Sequence, residues 1–266
     1  IRIDPKLAVA YNNRGAALAE LGENQRAIED FTQAIRLDPR SATTYGNRGL
    51  ARKKLGDLKG AIEDYAQAVS LDPKFAQVYG MRGVARQDLG DLQGAIEDYT
   101  QAIRLDSKNF AAYNNRGAIR QKSGDPRSAL EDFTQAIRLD STQAITFYNR
   151  GLTRIDLDDP RSALEDFTQA IRLDPNFAQA YYDRGLTRKG LGDLRGAIED
   201  YNQTIRLNPK YAAAYNNRGT TRTKLNDMKA AIEDFTQAIQ LDPKNAVFYT
   251  NRGSARAILG DKQGAI

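Results

Sequence analysis

The side chains with chemical reach in this 266-residue chain are carboxylates, guanidinia and amides, because it contains no Cys, no His and no Trp. Glu-Asp pairs such as Glu97-Asp98 suggest acid–base or metal work. Neighbours on a helix point in different directions, however, and seven copies of the pair argue for architecture. Without thiol or imidazole, disulfides, thiol nucleophiles, Cys-based zinc sites and Ser-His-Asp catalysis are excluded. Gly190-Leu191-Gly192 followed by Gly196 imitates a phosphate-cradling loop, but it straddles a helix–helix turn with no strand before it. Asn202-Gln203-Thr204 reads as a glycosylation sequon inside a helix. The expectation is no catalytic residue, no metal and no cofactor: not an enzyme, and no small-molecule substrate.

Charge narrows the partners little. Thirty-nine Lys and Arg against 34 Asp and Glu leave a net +5. Every basic stretch is interleaved with acids, whereas a nucleic-acid binder gathers its cations on one face, so nucleic acid is a disfavoured partner. The longest apolar runs span five residues, Leu7–Tyr11 and Tyr211–Tyr215, too short for a membrane span or signal peptide. A soluble chain is expected, with cytoplasm the favoured compartment and no membrane partner; the lack of Cys fits any redox environment.

The elements that must position these side chains are repeated. An Arg-Gly pair recurs at Gly15, Gly49, Gly83, Gly117, Gly151, Gly185, Gly219 and Gly253, in steps of 34 residues. Four residues before each glycine stands an aromatic, from Tyr11 through Phe147 to Tyr249. Twelve residues after it comes an alanine, then Phe or Tyr four further on (Phe31 to Phe235), then Ala34 to Ala238 with Thr204 the exception. These spacings draw facing stripes on two helices. Gly22, Gly56, Gly90, Gly124, Gly192 and Gly260 end the first helix in the left-handed region, with Asn226 and, less comfortably, Asp158 as substitutes. Asp57 to Asp261 N-cap the second helix, and Pro126 and Pro160 occupy its first position.

These residues resemble the tetratricopeptide repeat (TPR), a 34-residue helix–turn–helix unit. The wording YNNRG…LGD…AIEDFTQAIRLDP looks most like tandem arrays of bacteria, cyanobacteria included. The resemblance implies an all-α, right-handed α-solenoid superhelix: residues 1–7 closing a preceding second helix, seven complete units over 8–245, and a first helix plus the start of a second over 246–266. Neither end carries a polar cap, so a fragment of a longer array or disordered ends is expected, with head-to-tail self-association as a further expectation.

Three departures from the family stand out. Arg replaces the usual Leu before the glycine at all eight copies, Arg replaces Tyr three residues after it in seven, and Asp replaces the Tyr before the second-helix aromatic. The helical wheel brings the three together as a ladder, for example Arg116 and Arg120 with Asp132, or Arg150 and Arg154 with Asp166. The alternative is an Arg stripe gripping phosphate; the ladder is preferred because each Arg has an Asp in register and a buried charge demands a partner.

In the family, the asparagine two residues before the glycine faces the concave groove and hydrogen-bonds peptide backbone. It maps to Asn13, Asn47, Asn115, Asn149, Asn217 and Asn251, interrupted by Met81 and Asp183. An alternative is that these amides bridge neighbouring helices. Groove positions that vary between copies include Leu50, Val84, Leu152 and Leu186 in one row and Tyr148 and Tyr182 in another. With Ile145 and Ile155 these form an apolar centre suited to a partner or, alternatively, to packing on adjacent helices. Lys122 and Lys189 are basic groove candidates, offset by acids. The residues of a chaperone-tail carboxylate clamp are missing, so that ligand is not expected. The function implied is a non-catalytic scaffold for protein or extended peptide; the alternatives are a recognition segment of a larger enzyme or assembly, and, less favoured, a nucleic-acid binder.

Overall fold

The computed structural model describes residues 7–261 and 264, among which there are fifteen α-helices and no strand. Two compact units are present, Ile1–Leu139 and Asp140–Ile266. The first holds α1 (Ala8–Glu20), α2 (Asn24–Leu37), α3 (Ala42–Lys54), α4 (Leu58–Leu71), α5 (Ala76–Leu89), α6 (Leu92–Leu105), α7 (Phe110–Lys122) and α8 (Pro126–Leu139). The second holds α9 (Ala144–Asp156), α10 (Pro160–Leu173), α11 (Ala178–Gly190), α12 (Leu194–Leu207), α13 (Ala212–Lys224), α14 (Met228–Leu241) and α15 (Ala246–Leu259). Each is all-α solenoid: an odd-numbered helix pairs with the next even one as a hairpin, and the even helix leans on the following odd one. The expectation for residues 1–6 falls outside the described residues, as does most of the second helix begun after Asp261.

Local chemistry fixes each hairpin. Glycines at the first-helix ends have positive φ, as at Gly56 (+84°), and Asp158 and Asn226 adopt the same region at 59° and 64°. The following aspartate accepts from a backbone N–H of the second helix: Asp57 from Gly60 at 3.0 Å, Asp193 from Gly196 at 2.9 Å. Pro126 and Pro160 begin α8 and α10, where a missing N–H costs nothing.

The aspartate closing each repeat, replaced by Asn208 in one, does a job the spacing did not reveal. Asp72 Oδ1 accepts from the Lys74 amide and Asp106 Oδ1 from the Lys108 amide, both at 3.0 Å. This side-chain turn survives where Ser107 and Ser141 replace the usual proline, since Asp140 still accepts from Thr142 N at 2.9 Å.

The core is the Ala–aromatic–Ala stripe of each second helix. Tyr65, Phe133, Phe167 and Tyr201 are fully buried, and each such side chain contributes about 1.5–3 kcal/mol on leaving water. The glycine of the first helix lets that ring reach backbone. A Cβ built on Gly49 would lie 2.7 Å from Tyr65 Cε1, closer than real contacts allow.

Candidate functional site

In both units the Arg and Asp side chains form repeated forks. In α7 and α8, Arg116 donates from Nε and Nη2 to the two oxygens of Asp132, at 3.0 and 2.6 Å, while Arg120 Nη1 donates to Oδ2 at 2.8 Å. Arg150 and Arg154 meet Asp166 in the same way, at 2.7 and 2.9 Å. Asp132 and Asp166 are buried, each between two cations. The leading arginine also lies over the aromatic three residues before it, 5.8 Å from the Tyr113 centroid for Arg116 and 5.6 Å from Phe147 for Arg150. Its remaining nitrogen turns to the preceding hairpin: Arg116 Nη1 reaches Thr100 Oγ1 at 3.0 Å, and Arg184 reaches Thr168 at 3.2 Å. The leading guanidinia, with side chains 11–15% exposed from Arg48 to Arg218, are turned to carboxylate and ring. Arg14 differs at 49%: it stands on α1, the first described helix, and Leu18 takes the place of the second arginine in its hairpin.

The asparagine row makes bonds between successive first helices. Asn47 Nδ2 donates to Asn12 Oδ1 at 3.1 Å and Asn251 Nδ2 to Asn216 Oδ1 at 2.8 Å. Asn217 Nδ2 donates to the Tyr182 hydroxyl at 2.9 Å and to its own helix at Ala213 O. Asn13 is exposed with only a 3.4 Å neighbour in Asn12; Asn115 and Asn149 are half-buried. The rule is one repeat plus one residue, and it also governs Tyr148, whose hydroxyl donates to Asp183 Oδ2 at 2.8 Å. Bridging of neighbouring helices is one of the two readings open to the row from its sequence; the partners themselves become visible only when positions 35 apart are compared.

The two variable tyrosines lie between hairpins. Tyr148 packs on Phe177 and Phe167 with ring centroids 4.8 and 5.9 Å away; Tyr182 packs on Tyr211 and Tyr201 at 4.8 and 6.0 Å. Burial pushes the Tyr182 hydroxyl up to about 12 and raises that of Tyr148, with Asp183 adding to both. Asp183 is held above its ordinary value by burial, despite hydrogen bonds from Gln179 and Tyr148. Gln179 in turn accepts from the Tyr211 hydroxyl at 2.7 Å. Gln179 and Tyr211 escaped the sequence reading because neither sits on the glycine-centred stripe.

Lys189 is half-buried, donating to Thr220 Oγ1 at 2.8 Å and Asn217 Oδ1 at 3.2 Å, and burial lowers its pKa. Lys122 is exposed. Leu50, Leu186, Ile145 and Ile155 are exposed apolar side chains on first helices, while Val84 and Leu152 are half-buried.

A cavity of about 650 Å³ opens among α5, α6 and α7 around Gly80. Val84 and Asn115 line it, with Gln77, Met81, Tyr99 and Phe110. A smaller one of about 170 Å³ lies beside Asn47 and Leu50. Among the described residues no three His, Cys, Asp or Glu side chains gather to hold a metal, and no helix is long and apolar enough to cross a membrane.

Comparison with known proteins places this architecture. Models described as tetratricopeptide repeat match residues 8–41, 42–75, 110–143, 148–188 and 212–245, and one described as TPR repeat matches 83–124 and 188–225. No curated protein matches the chain. Among solved structures, YrrB, a TPR protein with an unusual peptide-binding site, is 24% identical with a TM-score of 0.64, over 70% of this chain and 96% of YrrB. MamA is 28% identical with a TM-score of 0.60, over 65% of this chain and 94% of MamA. The C-terminal part of a TPR repeat-containing protein from Cytophaga hutchinsonii is 19% identical with a TM-score of 0.75, over 90% of this chain and 98% of that one. With repeat models matching from residue 8 to residue 245 and the same hairpin in every copy, the chain belongs to the tetratricopeptide repeat family.

Proposed function

We propose that the chain is a non-catalytic scaffold that binds protein or extended peptide along the faces of its first helices. The observation that carries this reading is a division of labour. The second-helix aromatics and the Arg–Asp forks face inward, whereas Leu50, Ile145, Ile155 and Leu186 expose apolar surface on first helices. Exposed apolar side chains next to shallow cavities are the material of interface hot spots. Of the asparagines, Asn47, Asn217 and Asn251 are already engaged in bonds between first helices, so side-chain pockets supply more of the affinity than an amide row.

The test is selection of binding peptides from a displayed library, followed by titration of a selected peptide against variants. Leu50→Asp or Leu186→Asp is expected to weaken binding about tenfold or more, the cost of charging a hot spot. Glu131→Ala, on the exposed side of α8, is expected to leave it unchanged. Peptides indifferent to both leucines would overturn the proposal.

A further inference from the structure

The cavity around Gly80 lies at a repeat position where two other copies carry a tyrosine. Gly80 occupies the repeat position of Tyr148 and Tyr182, which stand 68 and 102 residues further along the chain. At Tyr182 the ring rests on Tyr201 and Tyr211, and its hydroxyl accepts from Asn217. The corresponding positions around Gly80 are Tyr99, Asn109 and Asn115, and all three line the cavity. The floor aromatic and the amide donor are therefore in place, while the side chain they would hold is absent. A Cβ built on Gly80 meets nothing within 4 Å.

Other repeats show that a glycine at this position does not by itself leave a hole. Gly46 is buried, and its cavity is closed by the chain's own side chains. Val78 Cγ2 lies 3.4 Å from the position of a Gly46 Cβ, and Phe75 and Met81 pack into the same cluster. Around Gly80 the matching residues are Ala112, Asn109 and Asn115, so two apolar fillers have become a smaller or polar side chain and the methionine has become an amide.

The amide and the floor tyrosine are partnered differently at the two positions. Asn217 serves Tyr182, and the Tyr201 hydroxyl beneath is left without a partner. At Gly80 the Tyr99 hydroxyl donates to Gln87 at 3.0 Å, and Asn115 Oδ1 accepts from Asn114 at 3.5 Å. An incoming phenol would accept from Asn115 Nδ2, and Tyr99 would keep Gln87.

From this internal template we propose that the Gly80 cavity binds a tyrosine side chain of a partner peptide. The ring lies against Tyr99, Val84 and Phe110, and the hydroxyl accepts from Asn115 Nδ2. This deepens the scaffold reading and rests on it for the identity of the ligand as a peptide.

The experiment uses p-cresol, the tyrosine side chain as a free molecule, titrated into the whole chain and followed by NMR. Expected are saturable shifts at the Asn115 side-chain amide and the Met81 and Val84 methyls, with toluene binding about fivefold more weakly for want of one hydrogen bond. Gly80→Tyr should supply the ring internally, raise Tm and abolish p-cresol binding. Should that variant misfold, Ala112→Val, which copies the filled Gly46 arrangement, should weaken p-cresol at least about tenfold by occupying the space. No saturable shift, shifts unchanged in a folded filled variant, or toluene binding as tightly as p-cresol would each overturn the proposal. Because p-cresol needs no partner, its failure beside intact peptide binding sinks this socket alone. Binding of p-cresol beside a failed peptide selection sinks the broader scaffold reading instead.

Discussion

Asn217 Nδ2 lies 2.9 Å from the Tyr182 hydroxyl, one repeat plus one residue away, and its Oδ1 accepts from Lys189 Nζ. One amide thus ties α11 to α13 and partners a half-buried cation. Asn217→Ala is expected to destabilise the chain by about 1–2 kcal/mol in urea unfolding, because it removes those bonds and leaves Lys189 short of an acceptor. Asn13→Ala, at an exposed amide, should stay within about 0.5 kcal/mol. Equal effects would show that the row does not tie helices together.

Asp132 is the shared acceptor of two arginines and is almost wholly shielded from water. Asp132→Ala should cost about 3 kcal/mol or more, since removing one member of a buried charge cluster strands the others. Restoring the apolar trio usual in the family, with Arg116→Leu, Arg120→Tyr and Asp132→Tyr together, should return stability to within about 1 kcal/mol of the parent, because buried ion triads often exchange for packed apolar groups at little cost. A single variant that melts like the parent would remove the ladder's structural role.

Two glycines one turn apart in α5 predict opposite signs. A Cβ on Gly83 would meet Tyr99 Cε1 at 2.8 Å, closer than real contacts allow, so Gly83→Ala should lose about 1–2 kcal/mol net of its gain in helix propensity. Gly80→Ala meets open space and should gain up to about 1 kcal/mol. Thermal unfolding of the two variants checks the ordering.

Asp183 carries a pH signature. Its pKa is raised in the folded chain by burial, so the folded state binds its proton more readily than the unfolded state does. This group's contribution to stability therefore falls as pH rises from the ordinary carboxylate value through the raised one. Asp183→Asn, which restores the amide of the row, should raise Tm at pH 7, and the advantage should shrink as pH drops below the raised pKa. A Tm difference that does not change with pH would contradict the assignment.

The repeat, the turns and the buried stripes were legible because each is a fixed spacing along one hairpin: Gly56 and Asp57 announce a turn, and Gly49 faces Tyr65 sixteen residues on. The Arg–Asp pairs were legible for the same reason. Contacts between hairpins were less so. Tyr148 and Tyr182 read equally well as ligand contacts or as packing until Phe177 and Tyr211 were seen beneath them. The Gly80 cavity depends on four residues at once, Gly80, Asn109, Ala112 and Asn115, and no one of them signals a hole alone.

The most direct measurement of the central claim is cross-saturation NMR from a selected, bound peptide onto methyl-labelled chain. The account predicts attenuation at Leu50, Val84, Leu152 or Leu186 on first helices, with Ile62, Ile96 and Ile232 on second helices untouched. Attenuation confined to the second-helix isoleucines would contradict it.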